Sequence, residues 1–302
     1  MTFKTRLKGV VVPIITPFND NGEVDETALE PYLDFLAHQV NAIAVCAIYG
    51  SGILMRPEQR MRVAEIAIRI VNTRTKVAVF VGAPDTDTAV LLAQHAEKVG
   101  AQAITCVAPF YYRQVDEALF RHYQAIVQSV SLPVYVYDSP LYAGNTLSID
   151  LVKRLAQSGL AGVTTGAVTY GLEHIWSVLN AVDRDVIDVL SIRDGLALPA
   201  IMNGAVGFES GVANFYPELV MDFYRATNEQ RYAEAIILQD RMLRLRDISH
   251  GLGRNIPTLH ALISMRGFPT GVPRRPFFSL SDEEVAHLRA QLAGLDFEVP
   301  LH

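Results

Sequence analysis

Phenols and hydroxyls end several of the short apolar segments of this 302-residue chain. Tyr137 closes the segment 133–137, and Thr164 and Thr165 close the run L-A-G-V-T-T at 160–165. A phenol with a pKa of about 10 can act as a general acid or donate a hydrogen bond to a developing oxyanion. A threonine hydroxyl can donate to a carbonyl, but it cannot form an iminium with a ketone. These side chains indicate hydrogen-bonding and proton-transfer chemistry, although packing at a strand end also suits both residue types.

Motifs for other chemistries are missing from the sequence. The eight histidines show no H-E-x-x-H or H-x-H spacing, and no cluster of cysteine, histidine and acidic residues suggests zinc. The G-S-G run at 50–52 lacks the G-x-S-x-G pattern of a nucleophilic serine, and no phosphate-binding G-x-x-x-x-G-K motif is present. We therefore expect a site that uses neither a metal nor another cofactor.

Charge and hydropathy exclude several classes of partner. The net charge of −6 and the pI of about 5.8 give no basic field for nucleic acid or an anionic membrane. No stretch reaches the roughly 18 consecutive apolar residues of a membrane span, and the start M-T-F-K-T-R-L-K has no long apolar region. We expect a cytoplasmic protein that binds neither nucleic acid nor membrane. Cys46 and Cys106 lie in apolar runs and are expected to be buried thiols.

Short β-branched segments alternate with longer segments of helical period along most of the chain, as in β-α-β units. Because these strand segments are continuously apolar, both faces of the sheet are expected to be covered. Strands are predicted at 10–15, 42–48, 77–82, 103–108, 133–137, 161–164, 186–192 and 205–208. Helices are predicted at about 26–38, 58–71, 86–99, 116–129, 148–157, 169–181, 194–203 and 217–227.

Eight strand and helix pairs predict a TIM (β/α)8 barrel with a C-terminal helical extension. An open, doubly wound sheet is the alternative, but no G-x-G-x-x-G motif follows the first strand. We expect the barrel to occupy residues 1–228 and a helical bundle packed on it to occupy 229–302.

Three helices are predicted in the extension, at 230–249, 257–265 and 281–294. The last begins with Ser281 and Glu284, the spacing of a capping box. The charged run Q-D-R-M-L-R-L-R-D at 239–247 is interpreted as the solvated face of an outer helix.

In a barrel of this type the site lies where the carboxyl ends of the strands meet. Residues that directly follow the apolar segments are therefore the candidates for catalysis and binding. The catalytic candidates are Tyr137, Tyr111 and Thr164, and the substrate-binding candidates are Tyr49, Gly50, Ser51, Thr165, Tyr142, Arg193 and Glu209.

Five stretches of the sequence form a recognisable series. They are G-V-V-V-P-I-I-T-P-F at 9–18, H-A-E-K-V-G-A-Q-A at 95–103, A-P-F-Y-Y-R at 108–113, L-P-V-Y-V-Y-D-S-P at 132–140 and D-G-L-A-L-P-A-I-M-N-G-A-V-G-F-E-S-G-V-A-N at 194–214. In these residues and in their order, the chain resembles the dihydrodipicolinate synthase and N-acetylneuraminate lyase family over nearly its whole length.

The resemblance implies a mechanism for which this sequence lacks the expected residue. In the family, a lysine after a G-I or G-V pair on strand 6 forms an imine with pyruvate or another 2-oxo acid. Here Gly162 and Val163 are followed by Thr164. The predicted elements place the chain's lysines away from the mouth of the barrel, and we therefore expect no imine. They are Lys4, Lys8, Lys76, Lys98 and Lys153.

The substrate carboxylate is also expected to be held differently. The family's strand-2 loop reads Gly-Thr-Thr-Gly-Glu, whereas residues 47–51 read A-I-Y-G-S and retain only Gly50. The resemblance thus implies a site rebuilt around Tyr49. The family's carboxylate-binding arginine after strand 5 corresponds to Tyr142, which carries no charge.

Arg193 stands where the family usually has a small or acidic residue. It can hold a carboxylate or phosphate, or it can form an ion pair with Asp194 or Glu209. The resemblance further implies that Tyr137 is the proton-shuttling tyrosine and that Tyr111 reaches across a subunit interface. Packing at the barrel rim is the alternative for both tyrosines.

Two functions remain open from the sequence. The first is an enzyme of lyase or aldolase type that acts on a 2-oxo acid or related small carbonyl acid, without an imine. The second is a catalytically silent paralogue that binds a small acid or has a regulatory role. The resemblance implies a homodimer or homotetramer, and fold alone does not decide between the two functions.

Overall fold

Eight parallel strands close into a barrel in the computed structural model, which describes residues 6–166 and 171–295. In chain order they are β1 (Gly9–Pro13), β2 (Ala42–Val45), β3 (Lys76–Phe80), β4 (Ala103–Val107), β5 (Val134–Tyr137), β6 (Gly162–Thr165), β7 (Asp188–Ser191) and β8 (Gly207–Glu209). Neighbouring strands pair in chain order, and β8 also pairs with β1. The predicted TIM barrel is confirmed, and its strands are buried on both faces because helices surround them.

Helices follow the strands and continue beyond the barrel. Those that accompany the barrel are α1 (Glu26–Ala37), α2 (Pro57–Val71), α3 (Thr86–Val99), α4 (Asp116–Ser129), α5 (Pro140–Ala143), α6 (Ile149–Gln157), α7 (Gly171–Ala181), α8 (Ala197–Met202) and α9 (Pro217–Asn228). The C-terminal extension consists of α10 (Tyr232–Gly251), α11 (Asn255–Met265) and α12 (Asp282–Ala293). Residues 169 and 170, which were included in a predicted helix, lie outside the described residues.

Most differences from the predicted elements are at strand ends. β2 stops at Val45 instead of continuing to residue 48, because Cys46 has a left-handed φ of 59° that interrupts the extended chain. β7 begins at Asp188, because the amides of Val186 and Ile187 both donate to the carbonyl of Asp183 in a turn. The predicted helix 194–203 begins with a single 3-10 turn before α8.

The capping box at the start of α12 is confirmed. The Ser281 hydroxyl accepts from the Glu284 amide at 3.2 Å, and the Glu284 carboxylate accepts from the Ser281 amide at 2.8 Å. This reciprocal pair satisfies two of the amides that a helix leaves free at its first turn.

Helix α10 packs against the barrel along a face that the sequence interpretation assigned to solvent. Gln239, Met242 and Leu245 are buried, and the Gln239 side chain accepts from the Leu198 amide at 3.0 Å and donates to the Asp194 carbonyl at 3.2 Å. These positions recur at three-residue spacing, which puts them on one side of a helix. The interpretation of 239–247 as a solvated face is therefore wrong for that side of α10. The division at residue 228 stays a prediction.

Both cysteines are buried and free, as the sequence predicts. Burial raises the pKa of each thiol, Cys46 and Cys106, to about 12, so neither is an activated nucleophile at neutral pH. In the described part of the chain, no helix combines the length and apolar character needed to cross a membrane.

A buried carboxylate organises the amino-terminal end of the barrel, opposite the predicted site. Asp188 is fully buried and accepts from Arg6 Nε at 2.9 Å and from the Tyr135 hydroxyl at 2.7 Å. The same Tyr135 oxygen accepts from the Leu7 amide at 2.8 Å. This network joins the segment before β1 to β5 and β7, so it ties the two sides of the barrel together.

Replacing Asp188 with asparagine should destabilise the fold without changing the site. Removing one partner of a buried ion pair costs roughly 3–5 kcal/mol, and we expect about 3 kcal/mol because Arg6 retains some solvent contact. The free energy of unfolding measured by urea denaturation checks this. Asp185→Asn, which changes an exposed aspartate of the same loop, is the matched control. Equal stability of both variants would show that the network contributes little.

Candidate active site

A small polar cavity of about 90 Å³ lies at the carboxyl ends of the strands. Its walls come from the ends of five strands, including Pro13 of β1, and from α10 of the extension. β5 supplies Tyr137 and β8 supplies Glu209, while the loops after β2 and β7 supply further groups. The polar and charged residues of the wall are Tyr49, Tyr137, Ser139, Tyr142, Arg193, Asp194, Glu209, Arg246 and His250.

Glu209 is a buried carboxyl group at the last position of β8. The residue is only 6% exposed, and burial raises the pKa of its carboxyl to about 8. Since burial in a medium of low dielectric penalises the charged form, the group is mainly protonated at neutral pH. A protonated carboxyl can donate a hydrogen bond, as an ionised one cannot.

Two phenols line the same cavity. Burial raises the pKa of the Tyr137 hydroxyl, and the neighbouring Glu209 and Tyr49 raise it further. The pKa of Tyr49 is raised by burial and then by Asp194. The Tyr137 ring packs edge-on against Phe80 with centroids 5.9 Å apart. Both phenols therefore keep their protons over the physiological range and are hydrogen-bond donors.

Two guanidinium groups meet on the other side of the cavity. Arg193 follows β7, and its Nε atom is buried with no hydrogen-bond partner among the described residues. Burial lowers the pKa of Arg193, and the nearby Arg246 of α10 lowers it further, although both stay charged at neutral pH. His250 lies one turn after Arg246, and burial lowers its pKa, which favours the neutral ring. Its Nδ1 atom lies 2.9 Å from the Arg246 carbonyl oxygen.

Asp194 is the one carboxylate of this cavity that is ionised at neutral pH. Burial raises its pKa to about 6, and a hydrogen bond of 2.5 Å from the Ser210 hydroxyl opposes that rise. The ion pair between Arg193 and Asp194 that the sequence left open is not among the ion pairs of the described residues. Arg246 lies 3.9 Å from the exposed Asp247 carboxylate, so Arg193 is the guanidinium of this wall that has no ion-pair partner among the described residues.

The loop after β2 is tightly wound and fixes Tyr49. Ser51 has a φ of 54° in the left-handed region, and a Cβ atom on Gly52 would lie 1.8 Å from the Cys46 carbonyl oxygen. A Cβ atom on Gly211 would come within 2.9 Å of the Tyr49 hydroxyl, so the phenol lies directly against the β8 loop. Strained backbone of this kind is common at functional sites.

A second, larger cavity of about 470 Å³ adjoins the polar one. Ile48, Tyr49, Tyr137, Ser139 and Tyr142 line both cavities and form the boundary between them. Ser51 is buried and lines only the larger cavity, whereas Gly50 lines neither. We call the two spaces the polar cavity and the apolar cavity.

The two threonines of β6 are on opposite faces of the barrel wall. The Thr165 hydroxyl donates to Asp138 Oδ2 at 3.0 Å, and the same oxygen lies 2.8 Å from His174 Nε2 of α7. Thr165 therefore points to the helix layer, and the structure does not bring it to either cavity. Thr164 lies on the inner face by the alternation of a strand, is 2% exposed, and is not a lining residue of either cavity.

Tyr111 lies apart from both cavities. Its side chain is 88% exposed, its ring packs edge-on against Tyr112 with centroids 4.9 Å apart, and its φ is 82°. A bulky residue in that region of φ is strained. Within one chain it does not join Tyr137, so any part it takes in the site requires another subunit.

Besides Ser139 and Asp194, which lie in the loops after β5 and β7, the polar wall residues that sequence reasoning missed are Arg246 and His250. They lie more than fifty positions after Arg193, in a helix assigned to the extension. Their four-residue spacing, in register with the buried face of α10, was the signal that could have revealed them.

Lysine is absent from both cavity walls within the residues that the structure describes. Lys76 donates to the Arg6 carbonyl at the amino-terminal end of the barrel. Lys153 lies on α6, 3.6 Å from Asp150, and Lys8 and Lys98 are exposed. Lys4 lies outside the described residues.

Comparison with known proteins identifies the family. The Dihydrodipicolinate synthetase family matches residues 6–294 of the chain. The chain belongs to this family. It is 30% identical over 292 residues to 4-hydroxy-tetrahydrodipicolinate synthase of Archaeoglobus fulgidus, covering 96% of this chain and 98% of that protein. It is 34% identical over 245 residues to a probable 2-dehydro-3-deoxy-D-pentonate aldolase of Escherichia coli, covering 80% of this chain and 81% of that protein.

The solved structures agree with this assignment. The chain matches the structure of chloride-inhibited dihydrodipicolinate synthase from Acinetobacter baumannii, which is complexed with pyruvate. The TM-score is 0.86 and the sequence identity is 28%, and the match covers 95% of this chain and 98% of that chain. The matched relatives include proteins named as synthases, lyases and aldolases.

The burial of Glu209 predicts a stability difference that depends on pH. The folded-state pKa of about 8 lies above the ordinary value of 4.5, so the folded state holds a proton that the unfolded chain releases. Wild-type stability therefore falls as pH rises from about 4.5 to about 8, by a few kcal/mol at about 1.4 kcal/mol per pKa unit. Glu209→Gln cannot ionise, so its free energy of unfolding relative to wild type should increase across that range.

Urea unfolding of both proteins at intervals between pH 5 and pH 9 measures this difference. Glu58→Gln, at an exposed helix position, is the matched control, and its difference from wild type should stay flat. A flat difference for Glu209→Gln as well would mean that the buried carboxyl is ionised in the folded protein at neutral pH.

Proposed function

We propose that this protein is an enzyme of lyase or aldolase type that activates a 2-oxo acid by hydrogen bonds instead of an imine. The observation that carries the proposal is the polar cavity, in which three protonated donors and two guanidinium groups meet with no described lysine in the wall. The family supplies the substrate class, because its members act on 2-oxo acids. The residues of the cavity wall in this chain are the reason for proposing a mechanism without an imine.

The substrate carboxylate fits the arginine side of the polar cavity. Arg193 has a buried Nε without a partner, and Arg246 adds a second positive charge. A planar guanidinium matches a carboxylate through two parallel hydrogen bonds. A carboxylate bound there would pair with Arg193, which has no ion-pair partner among the described residues, so we assign substrate anchoring to Arg193 and Arg246.

The 2-oxo oxygen then faces the donors on the other side of the cavity. When a proton leaves the carbon next to the carbonyl, its electron pair forms the new carbon-carbon double bond and the carbonyl pair moves to oxygen. Tyr137, Tyr49 and the protonated Glu209 can donate hydrogen bonds to that oxygen as its charge develops. We assign Tyr137 as the principal general acid.

A base for the departing proton is present in the same wall. Asp194 has a pKa of about 6 and Glu209 one of about 8, so near pH 7 one carboxyl is ionised and the other is protonated. Two carboxyl groups whose pKa values are separated in this way can divide the roles of base and acid. We assign the base role to Asp194.

The remaining predicted residues have lesser parts in this proposal. Ser51 and Tyr142 belong to the walls of the substrate space, and Gly50 allows the tight loop that holds Tyr49. Thr164 and Thr165 are left without contact to the substrate. Tyr111 is proposed to pack against a second copy in a homodimer or homotetramer, which would cover its exposed ring.

A catalytically silent small-acid-binding or regulatory protein is the second candidate. The observation in its favour is the joint change at Thr164, Tyr142 and the loop 47–51, since all three differ from what the family resemblance implies. Such a protein would bind 2-oxo acids in the polar cavity without removing a proton from them.

Exchange of the hydrogen atoms next to the carbonyl separates the two candidates. In D2O, the enzyme should replace the C3 hydrogens of a bound 2-oxo acid with deuterium, as measured by the loss of their proton NMR signal. Tyr137→Phe removes one donor to the oxyanion and should slow the exchange by about 10²-fold or more. Tyr232→Phe on α10, distant from the cavity walls, is the matched control and should leave the rate unchanged. Binding without exchange would establish the silent protein instead.

The exchange rate should follow a bell-shaped pH profile. It should rise as Asp194 ionises with a pKa near about 6 and fall as Glu209 ionises with a pKa near about 8. Glu209→Gln should retain the acidic limb and lose the alkaline one. An alkaline limb that is unchanged in Glu209→Gln would remove Glu209 from the mechanism.

A further inference from the structure

The two cavities divide the substrate space by chemistry. Most of the charged side chains line the polar cavity, which has a volume of about 90 Å³, whereas Arg254 is the charged residue among those that line the apolar cavity. The polar cavity is thus the smaller of the two spaces and the one whose side chains can pair with a carboxylate and its adjacent carbonyl. A larger substituent would extend past Tyr49 and Tyr137, the shared boundary, into the apolar cavity.

The apolar cavity is lined largely by aliphatic and aromatic side chains from both the barrel and the extension. Its volume of about 470 Å³ is within the ~300–1,000 Å³ range of small-molecule sites. Representative lining residues are Ile53 after β2, Phe80 at the end of β3, Phe110 after β4 and Phe277 after α11.

The cation at the edge of this cavity is already neutralised. Arg254 forms an ion pair with Glu284 of α12, and its guanidinium lies 4.6 Å from the centroid of the Phe278 ring. It is therefore held toward the extension by an opposite charge and an aromatic face. The other polar residues of this lining are Ser51, Asn255 and the shared Tyr49, Tyr137, Ser139 and Tyr142, so most of the wall is apolar and Arg254 adds no uncompensated charge.

Such walls distinguish between classes of 2-oxo acid. Each hydroxyl of a polyhydroxylated chain that is buried here without a partner carries a desolvation penalty. An aromatic or branched aliphatic substituent instead gains free energy in proportion to the apolar area that it removes from water. The lining of the apolar cavity therefore favours the second class and disfavours the sugar-acid type.

We propose that the substrate is a 2-oxo acid with an aromatic or branched aliphatic substituent, which occupies the apolar cavity while its carboxylate and carbonyl occupy the polar cavity. This inference rests on the proposed function for the orientation of the acid. It adds the substrate class, which neither the family nor the polar cavity specifies.

Binding of defined 2-oxo acids to the full chain tests the inference. Isothermal titration calorimetry with phenylpyruvate, 4-methyl-2-oxopentanoate, pyruvate and 2-dehydro-3-deoxy-D-pentonate gives four dissociation constants. The two apolar acids should bind at least tenfold more tightly than pyruvate, and the polyhydroxylated acid should gain nothing over pyruvate. Equal or tighter binding of the polyhydroxylated acid, or no binding of any of the four, would overturn the inference.

A surface isoleucine of the cavity wall allows a matched pair of variants. Ile53 is 57% exposed, so Ile53→Asn should fold, and it places an amide in the apolar wall. We expect it to reduce the affinity ratio of phenylpyruvate to pyruvate at least fivefold. Ile237→Asn, at a 58% exposed position of α10 outside both cavities, should keep the wild-type ratio. An unchanged ratio in Ile53→Asn would place the substituent elsewhere.

The outcomes separate this inference from the proposed function. Preference for apolar acids without any deuterium exchange would support the proposed ligand class and contradict the proposal that the protein is an enzyme. Exchange of pyruvate hydrogens without a preference for apolar acids would retain the enzyme and reject the substrate class.

Discussion

The pairing of β1 with β8, which closes the barrel, is the constraint on which the rest of the structure depends. Gly9 pairs with Gly207 there, and a Cβ atom on Gly207 would lie 2.2 Å from the Gly9 carbonyl oxygen, so the first and last strands can meet only without a side chain at this point. Closure brings the carboxyl ends of all eight strands to one rim. It also pairs Glu209 with Val11, which fixes the carboxyl inside the cavity across from Tyr137.

Closure has a cost at Glu209, whose carboxyl is buried with no hydrogen-bonded cation among the residues that the structure describes. The fold tolerates this by keeping the group protonated, as the raised pKa shows. Burial of this kind destabilises a protein at neutral pH, and such losses are characteristic of functional sites. The same closed rim places Arg193 and Asp194 against α10, so the C-terminal extension completes the polar cavity in addition to covering the barrel.

The sequence predicted the barrel well because its signals are local. Continuous apolar strands, helical periods and the Ser281 capping box are each read within one segment, and strand ends shifted where a left-handed residue such as Cys46 or the turn at Asp183 interrupts the extended chain. Of the site, Tyr49, Tyr137, Arg193 and Glu209 followed from their positions after strands. Arg246 did not, because its contact with the cavity arises from how α10 docks. Thr165 was predicted as a binding residue but lies outside both cavities, because a strand end does not reveal which of two adjacent side chains faces inward.

The most direct test of the account is reductive trapping. Intact-mass spectrometry after incubation with pyruvate and sodium borohydride would detect a lysine imine as a stable adduct, with a family member that forms the imine as the positive control. Activation by Tyr137, Tyr49 and Glu209 predicts that the mass of this chain stays unchanged while deuterium exchange proceeds. A pyruvate-derived mass increase, mapped to any of the five lysines, would contradict it.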